Sequence, residues 1–270
     1  MGRGSSGAGG GSGGGSKAGT IKDFDEAFAP GKDFQAVNGV NHTTRTVSRT
    51  TQSEWDKYSA SMNANVSAAD EAAIMTVGYG TLRGYVRTSN SFAINSALYD
   101  PKNAGKTDAQ IFRRKADRDT VKALDRAINN HATPSDGAYA RFSSPGAIQA
   151  TFGLTSAQMA LVQQAPNMTS QQLAQLNKSL FGTPSHSKAY TSTSANRSLN
   201  AFGNPNAKQS KGFIFERKIN VPKGTKAFAP RMNAQESEVI FGRGMSTKLT
   251  GISVSSDGHI VFHESFDGYK

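Results

Sequence analysis

Glu236-Ser237-Glu238-Val239-Ile240-Phe241-Gly242-Arg243-Gly244 is the stretch on which the reading of this chain turns. Three β-favouring apolar residues in a row, closed by Gly-Arg-Gly, predict a short buried strand ending in a tight turn. Two carboxylates open it, and residues two apart on a strand share a face, about 6–7 Å from one another. Against apolar neighbours such a pair repels and loses water, the setting in which carboxylates do chemistry; a polar strand end facing solvent is the plainer alternative.

Upstream, residues 189–194 predict a strand ending in Ser192-Thr193-Ser194. Residues 138–142 predict another, on which Arg141 shares a face with Tyr139. Stretches 212–221, 226–229, 249–254 and 259–263 add further strands, punctuated by Pro222-Lys-Gly and Asp257-Gly. The first half reads differently. Trp55 and Tyr58 stand three apart, Ser67 precedes Asp70 by three in a capping-box-like start, and Phe92, Ile94, Ala97 and Leu98 recur at helical spacing up to Pro101. Residues 107–130 predict one long amphipathic helix with Ile111, Val121, Leu124 and Ile128 inward, and 156–162 and 170–180 predict two shorter ones. Helices come first and strands follow with short helices between them, so the fold class is α+β rather than a doubly wound sheet.

Composition narrows the chemistry. The chain has 270 residues and no cysteine, which removes disulfides, Cys-ligated zinc and a thiol nucleophile. Of five histidines only His259 and His263 are close, and on a strand that spacing separates them by about 13 Å, so no metal site is expected. Outside the Gly/Ser-rich first 19 residues no Gly-x-Ser-x-Gly elbow occurs, and no glycine-rich phosphate loop joins a strand to a helix. The formal net charge of +11 is thinly spread. Even in its densest stretch, 102–126, Lys and Arg alternate with Asp, which suits a solvated helix face and argues against nucleic acid as a partner. No run approaches the roughly 18–20 apolar residues of a membrane span, and the start lacks the apolar core of a Sec-type signal peptide. Residues 1–19 are Gly/Ser-rich and read as a flexible tail, 20–52 as a weakly structured lead-in with room for one short helix, and 53–270 as the folded domain. Within that domain, 53–135 are helical and 136–270 mostly β.

An arginine on one strand, Ser-Thr-Ser on a second and Glu-x-Glu opening a later one, in this order, resemble the mono-ADP-ribosyltransferase exotoxin family, in the branch that includes binary actin-modifying toxins. Val221-Pro-Lys-Gly-Thr-Lys-Ala, Ile94-Asn95, Trp55 and Tyr85 add to the likeness, which runs from about Ser53 to Glu264. The resemblance implies a helical region packed on two β-sheets that form an NAD-binding cleft, with NAD as substrate. It implies that Arg141 contacts the NAD phosphates, Ser192 orients the catalytic glutamate, Thr193 and Ser194 secure the strand and the ribose side, and Glu238 stabilises the oxocarbenium ion as nicotinamide departs. Glu236 would hold and deprotonate the incoming nucleophile. A glutamate there, rather than glutamine, suggests an acceptor arginine on a target protein, because a guanidinium is nearly impossible to deprotonate unaided. By position alone, Phe202 would stack on nicotinamide and Lys208 or Lys211 would meet phosphate. The strand departs from the family pattern in having Ala140 and Phe142 beside the arginine, and Arg83 or Arg87 is an alternative phosphate contact. An NAD glycohydrolase on the same scaffold, a phage-encoded host-modifying transferase and a non-catalytic basic module are the other readings. The resemblance suggests a toxin or effector, secreted or injected into a target cell, and leaves actin, a small GTPase and a transcription component open as its target.

Overall fold

The computed structural model describes residues 52–62, 67–75, 89–195, 215–230, 238–255 and 259–270, together with two short strands at 34–37 and 40–43. Those strands, β1 (Phe34–Val37) and β2 (Val40–Thr43), pair antiparallel. They lie in the segment expected to be a weakly structured lead-in, and Asn38-Gly39, which separates them in sequence, is a favoured hairpin dipeptide.

Next come α1 (Gln52–Met62), α2 (Ala68–Met75) and α3 (Ser89–Tyr99). Ser67 Oγ accepts the amide of Asp70 at 3.0 Å, the cap expected from the sequence. The long helix expected over 107–130 is in fact two, α4 (Asp108–Ile111) and α5 (Lys115–Asn130). The reason is helical phase. Phe112 and Val121 are nine residues apart, which on one continuous helix would set them about 180° apart. Extended backbone at Phe112 (φ −101°, ψ 102°) interrupts the helix, and both side chains are buried in one cluster.

Strand β3 (Gly137–Ser143) leads into α6 (Pro145–Phe152), which the sequence reading missed although its signals are present. Ser144 caps it by accepting the amide of Ala147 at 3.3 Å, Pro145 starts it, and Gly153 at φ +60° ends it. Helices α7 (Ser156–Gln163) and α8 (Ser170–Leu180) open with Thr155/Gln158 and Thr169/Gln172 capping boxes. The remaining strands are β4 (Pro184–Ser187), β5 (Thr191–Ser194), β6 (Phe215–Val221), β7 (Ala227–Phe228), β8 (Glu238–Phe241), β9 (Met245–Val254) and β10 (Ile260–Tyr269). Polar Pro-Ser-His-Ser in β4 carries no apolar alternation, so that edge strand was invisible in the sequence.

Strand order is β4-β9-β10-β6-β3-β5-β8-β7, with β6 and β10 parallel and the other neighbours antiparallel. The two sheets expected are two sections of this run. β3 and β5 are joined at a single register pair, Ala140↔Ser194. One core cluster unites Tyr139 and Ile219 of the first section with Val239 and Phe241 of the second and with Tyr58 and Met62 of α1. Tyr139 and Phe241 meet edge to face, 5.2 Å between centroids. A second cluster packs α2, α3 and α5 against Tyr190, Phe228 and Ile240, and a third packs α6 to α8 against Phe215, Leu249 and Phe262. The architecture is α+β, with helices covering the sheet sections that carry the motif residues.

Candidate active site

The antiparallel register of β5 and β8 sets Ser192 opposite Ile240 and Ser194 opposite Glu238. Facing residues lie on one side of a sheet, so Ser192 and Glu238 are diagonal neighbours on a shared face. Both are partly exposed, and Ser192 Oγ donates to Glu238 Oε1 at 2.5 Å. A hydroxyl donating to a carboxylate is short and strong, and it fixes where that charge points. Ile240, on the same face, is buried under the helical layer, while Glu238 at the strand start is not.

Thr193 points to the other face and is buried. Its Oγ1 donates to the Val239 carbonyl at 2.8 Å, which fastens β5 to β8. Ser194 is also buried and forms the junction with β3. Arg141 Nη1 donates to the Ser192 carbonyl at 2.6 Å. A guanidinium, a strand carbonyl, a hydroxyl and a carboxylate are thus linked through one residue, Ser192.

Arg141 also borders a cavity of about 520 Å³, shared with Tyr99, Thr151, Ser187, Tyr190 and Arg217. Arg217 sits directly opposite Arg141 in the β3/β6 register. Its Nε and Nη2 donate to Glu264 Oε1 and Oε2, both at 2.7 Å. Burial works against that charge, but Glu264 outweighs it and holds the guanidinium above its ordinary value. The sequence reading did not single out this pair. Its signal was a carboxylate in the strand that follows Ile260-Val-Phe, where a buried charge requires a partner.

A second ion network holds the turn after β8. Arg243 Nη1 donates to Asp108 Oδ1 at 2.7 Å, and its Nη2 donates to Asp125. Tyr190 donates to the same Asp125 at 2.6 Å and lies under the Arg243 guanidinium, 5.8 Å from its ring centroid. Desolvation opposes this charge, yet the hydrogen bond that Arg243 donates to Asp108 and the neighbouring Tyr190 and Asp125 raise its pKa further above the ordinary arginine value. Asn95 Nδ2 donates to the Tyr190 carbonyl at 3.4 Å. The strand with Ser192 and the strand with Glu238 are thereby anchored to α3, α4 and α5.

Glu236 and Phe202, like Arg83, Arg87, Lys208 and Lys211, lie outside the described residues. Among the described residues no group of three or more His, Cys, Asp or Glu is placed to hold a metal ion, and no helix is long and apolar enough to cross a membrane.

Comparison with known proteins gives the same direction as the geometry. The sequence model of a family described as ADP-ribosyltransferase exoenzyme matches residues 55–262. The structure of C3stau2 from S. aureus with NAD is similar at a TM-score of 0.60 and 22% identity, covering 84% of this chain and 100% of that one. The Clostridium limosum C3 exoenzyme is similar at a TM-score of 0.51 and 17% identity, covering 80% and 92%. C2-I, the enzymatic component of the Clostridium botulinum C2 toxin, is similar at 0.55 and 13%, covering 82% of this chain and 47% of its own. At these identities the likeness is one of fold. A search of curated proteins gave no match.

Proposed function

Because the chain belongs to the ADP-ribosyltransferase exoenzyme family, we propose that it transfers a single ADP-ribose from NAD to an arginine of a target protein. The observation that carries this reading is the Ser192–Glu238 hydrogen bond, joined to Arg141 through the Ser192 carbonyl. NAD as the substrate is supported by the NAD in the similar S. aureus structure and by the cavity of about 520 Å³ that Arg141 borders.

In this reading Arg141 engages the diphosphate, where a planar fork matches phosphate oxygens. Glu238, held by Ser192, lies beside the nicotinamide ribose. The C1′–N bond breaks with its electron pair going to the nicotinamide nitrogen, and the carboxylate stabilises the oxocarbenium charge that appears only then. A guanidinium nitrogen of the acceptor bonds to C1′ and gives up a proton to Glu236. Thr193 and Ser194 maintain the strand and its junction. Phe202 stacking on nicotinamide is part of the same proposal.

The test is incubation with labelled NAD and a cell lysate, followed by mapping of the modified residue by mass spectrometry. Label on arginine that disappears in Glu238→Gln supports the proposal; label on another residue type rejects the arginine acceptor, and Glu238-independent label rejects the mechanism. Glu236→Gln should abolish protein labelling while sparing most of the slow nicotinamide release, since only the acceptor step needs that carboxylate. The family suits a toxin or effector that acts on another cell, with the modified protein identified by the same experiment.

A further inference from the structure

The cavity next to Arg141 contains a second arginine whose arrangement resembles a built anion anchor. Arg217 is only 5% exposed, yet it lines this cavity. Its fork is aligned from behind. Nε and Nη2 hold Glu264 in a bidentate pair, Nη2 lies 3.5 Å from Ser185 Oγ, and Thr247 Oγ1 donates to Glu264 as well. The Phe152 ring lies 5.6 Å from the guanidinium carbon. Nη1 donates to nothing among the described residues, and it is not among the polar atoms buried without a partner. Its two N–H groups are what Arg217 has left for a ligand.

Charge supports the same conclusion. Arg141 and Arg217 are directly opposed on neighbouring strands and border the same cavity. Directly opposed like charges cost stability, and an anion between them relieves that cost. A diphosphate supplies one oxygen cluster for each of the two guanidinium groups.

We propose that Arg217, preorganised by Glu264, is a second binding residue for the diphosphate of the nucleotide held at Arg141. This rests on NAD being the substrate and adds an anchor outside the Arg, Ser-Thr-Ser and Glu-x-Glu motifs. Arg217 lies away from the Ser192–Glu238 pair in the register, so its contribution is to affinity and not to bond breaking.

Removing Arg217 alone would strand Glu264, so the informative variant replaces both, as Arg217→Met with Glu264→Gln. With melting temperature as the check on folding, ADP and NAD should bind about tenfold or more weakly, the loss of one charge-assisted hydrogen-bonding group. The KM for NAD should rise by a similar factor with kcat within about twofold of wild type, and nicotinamide binding should not change. A folded double variant that binds ADP as wild type does overturns the proposal. Should that variant not fold, Arg217→Lys keeps the pairing charge but loses the fork; weaker ADP binding supports the proposal, and unchanged binding overturns it. A wild-type protein that binds neither NAD nor ADP instead overturns the substrate assignment beneath it.

Discussion

Ser192 and Glu238 are not opposite one another in the β5/β8 ladder, yet they are joined by a 2.5 Å hydrogen bond across its diagonal. Their direct partners are Ile240 and Ser194. The hydroxyl leans along the strand to meet the carboxylate, and the same residue's carbonyl accepts from Arg141 at 2.6 Å. One short polar side chain thus sets the aim of the carboxylate and ties it to the guanidinium at the cavity.

Ser192→Ala should therefore lower kcat for nicotinamide release by about 10- to 100-fold, the value of a hydrogen bond to a charged group. KM for NAD should change little, because the backbone carbonyl that engages Arg141 remains. Glu238→Gln should cost more, about 100- to 1000-fold in kcat, since it removes the stabilising charge itself. Steady-state nicotinamide release for both variants checks the order.

Gly244 is required at its turn for two reasons. Its φ is +79°, and a Cβ there would stand 2.2 Å from the Lys270 carbonyl oxygen. Its amide also donates to the Ser187 carbonyl at 2.8 Å, and its own carbonyl accepts from Lys270 at 2.8 Å. Gly105 has a similar φ of +76° but open space where a Cβ would be. Gly105→Ala should cost about 1 kcal/mol, and Gly244→Ala clearly more, about 3 kcal/mol. Equal shifts in chemical denaturation would refute the steric argument.

Phe112 interrupts the helix and is 4% exposed, whereas Phe181 follows α8 and is 50% exposed. Truncation of Phe112 to Ala should destabilise by about 3–5 kcal/mol through the cavity it leaves. Phe181→Ala should stay within about 0.5 kcal/mol of wild type. Urea denaturation of the two variants distinguishes a buried anchor from a surface aromatic of the same size.

Asp70 on α2 pairs with Arg126 on α5, and the hydrogen bond from Arg126 is the largest influence holding its carboxyl below the ordinary 3.8. A depressed carboxylate pKa contributes stability that is fully present above 3.8 and is lost as pH falls through the lower folded value. Arg126→Gln should accordingly be less stable than wild type at pH 6, with the gap closing in strong acid. Urea midpoints at pH 6 and pH 2.5 measure this, and an unchanged gap would place the effect outside the ion pair. Arg126 is exposed and Asp70 partly so, and high salt should therefore also narrow the gap.

Much of the fold could be read before any coordinates. Ser67 capping Asp70, the strands at 137–143, 215–221 and 238–241, and the two capped helices after Gly153 all follow from local spacing. The reading was less successful where local pattern and packing diverge. Residues 107–130 have unbroken helical character, and only the demand to bury both Phe112 and Val121 divides them. β4 has no apolar alternation because its pairing with β9, not its side chains, makes it a strand. Helix α6 carried its cap, proline and terminal glycine in plain view, but it is only eight residues long and follows directly on a strand.

For the site, the sequence alone determined which side chains are available: with no cysteine, the chemistry falls to carboxylates, hydroxyls and arginines, and their order along the chain carried the likeness to a family. Residue type and near-neighbour spacing are properties of the covalent chain, so they needed no fold. Only the tertiary structure decided which of these groups meet. Ser192 and Glu238 are 46 residues apart, and Arg217 and Glu264 are 47 apart. Strand register sets such contacts, and a shift of one residue would turn each side chain to the opposite face. Register follows from burying Val239 and Phe241 against Tyr139 on one face and Ile240 against α5 on the other, a requirement of the whole core that no local stretch of sequence expresses.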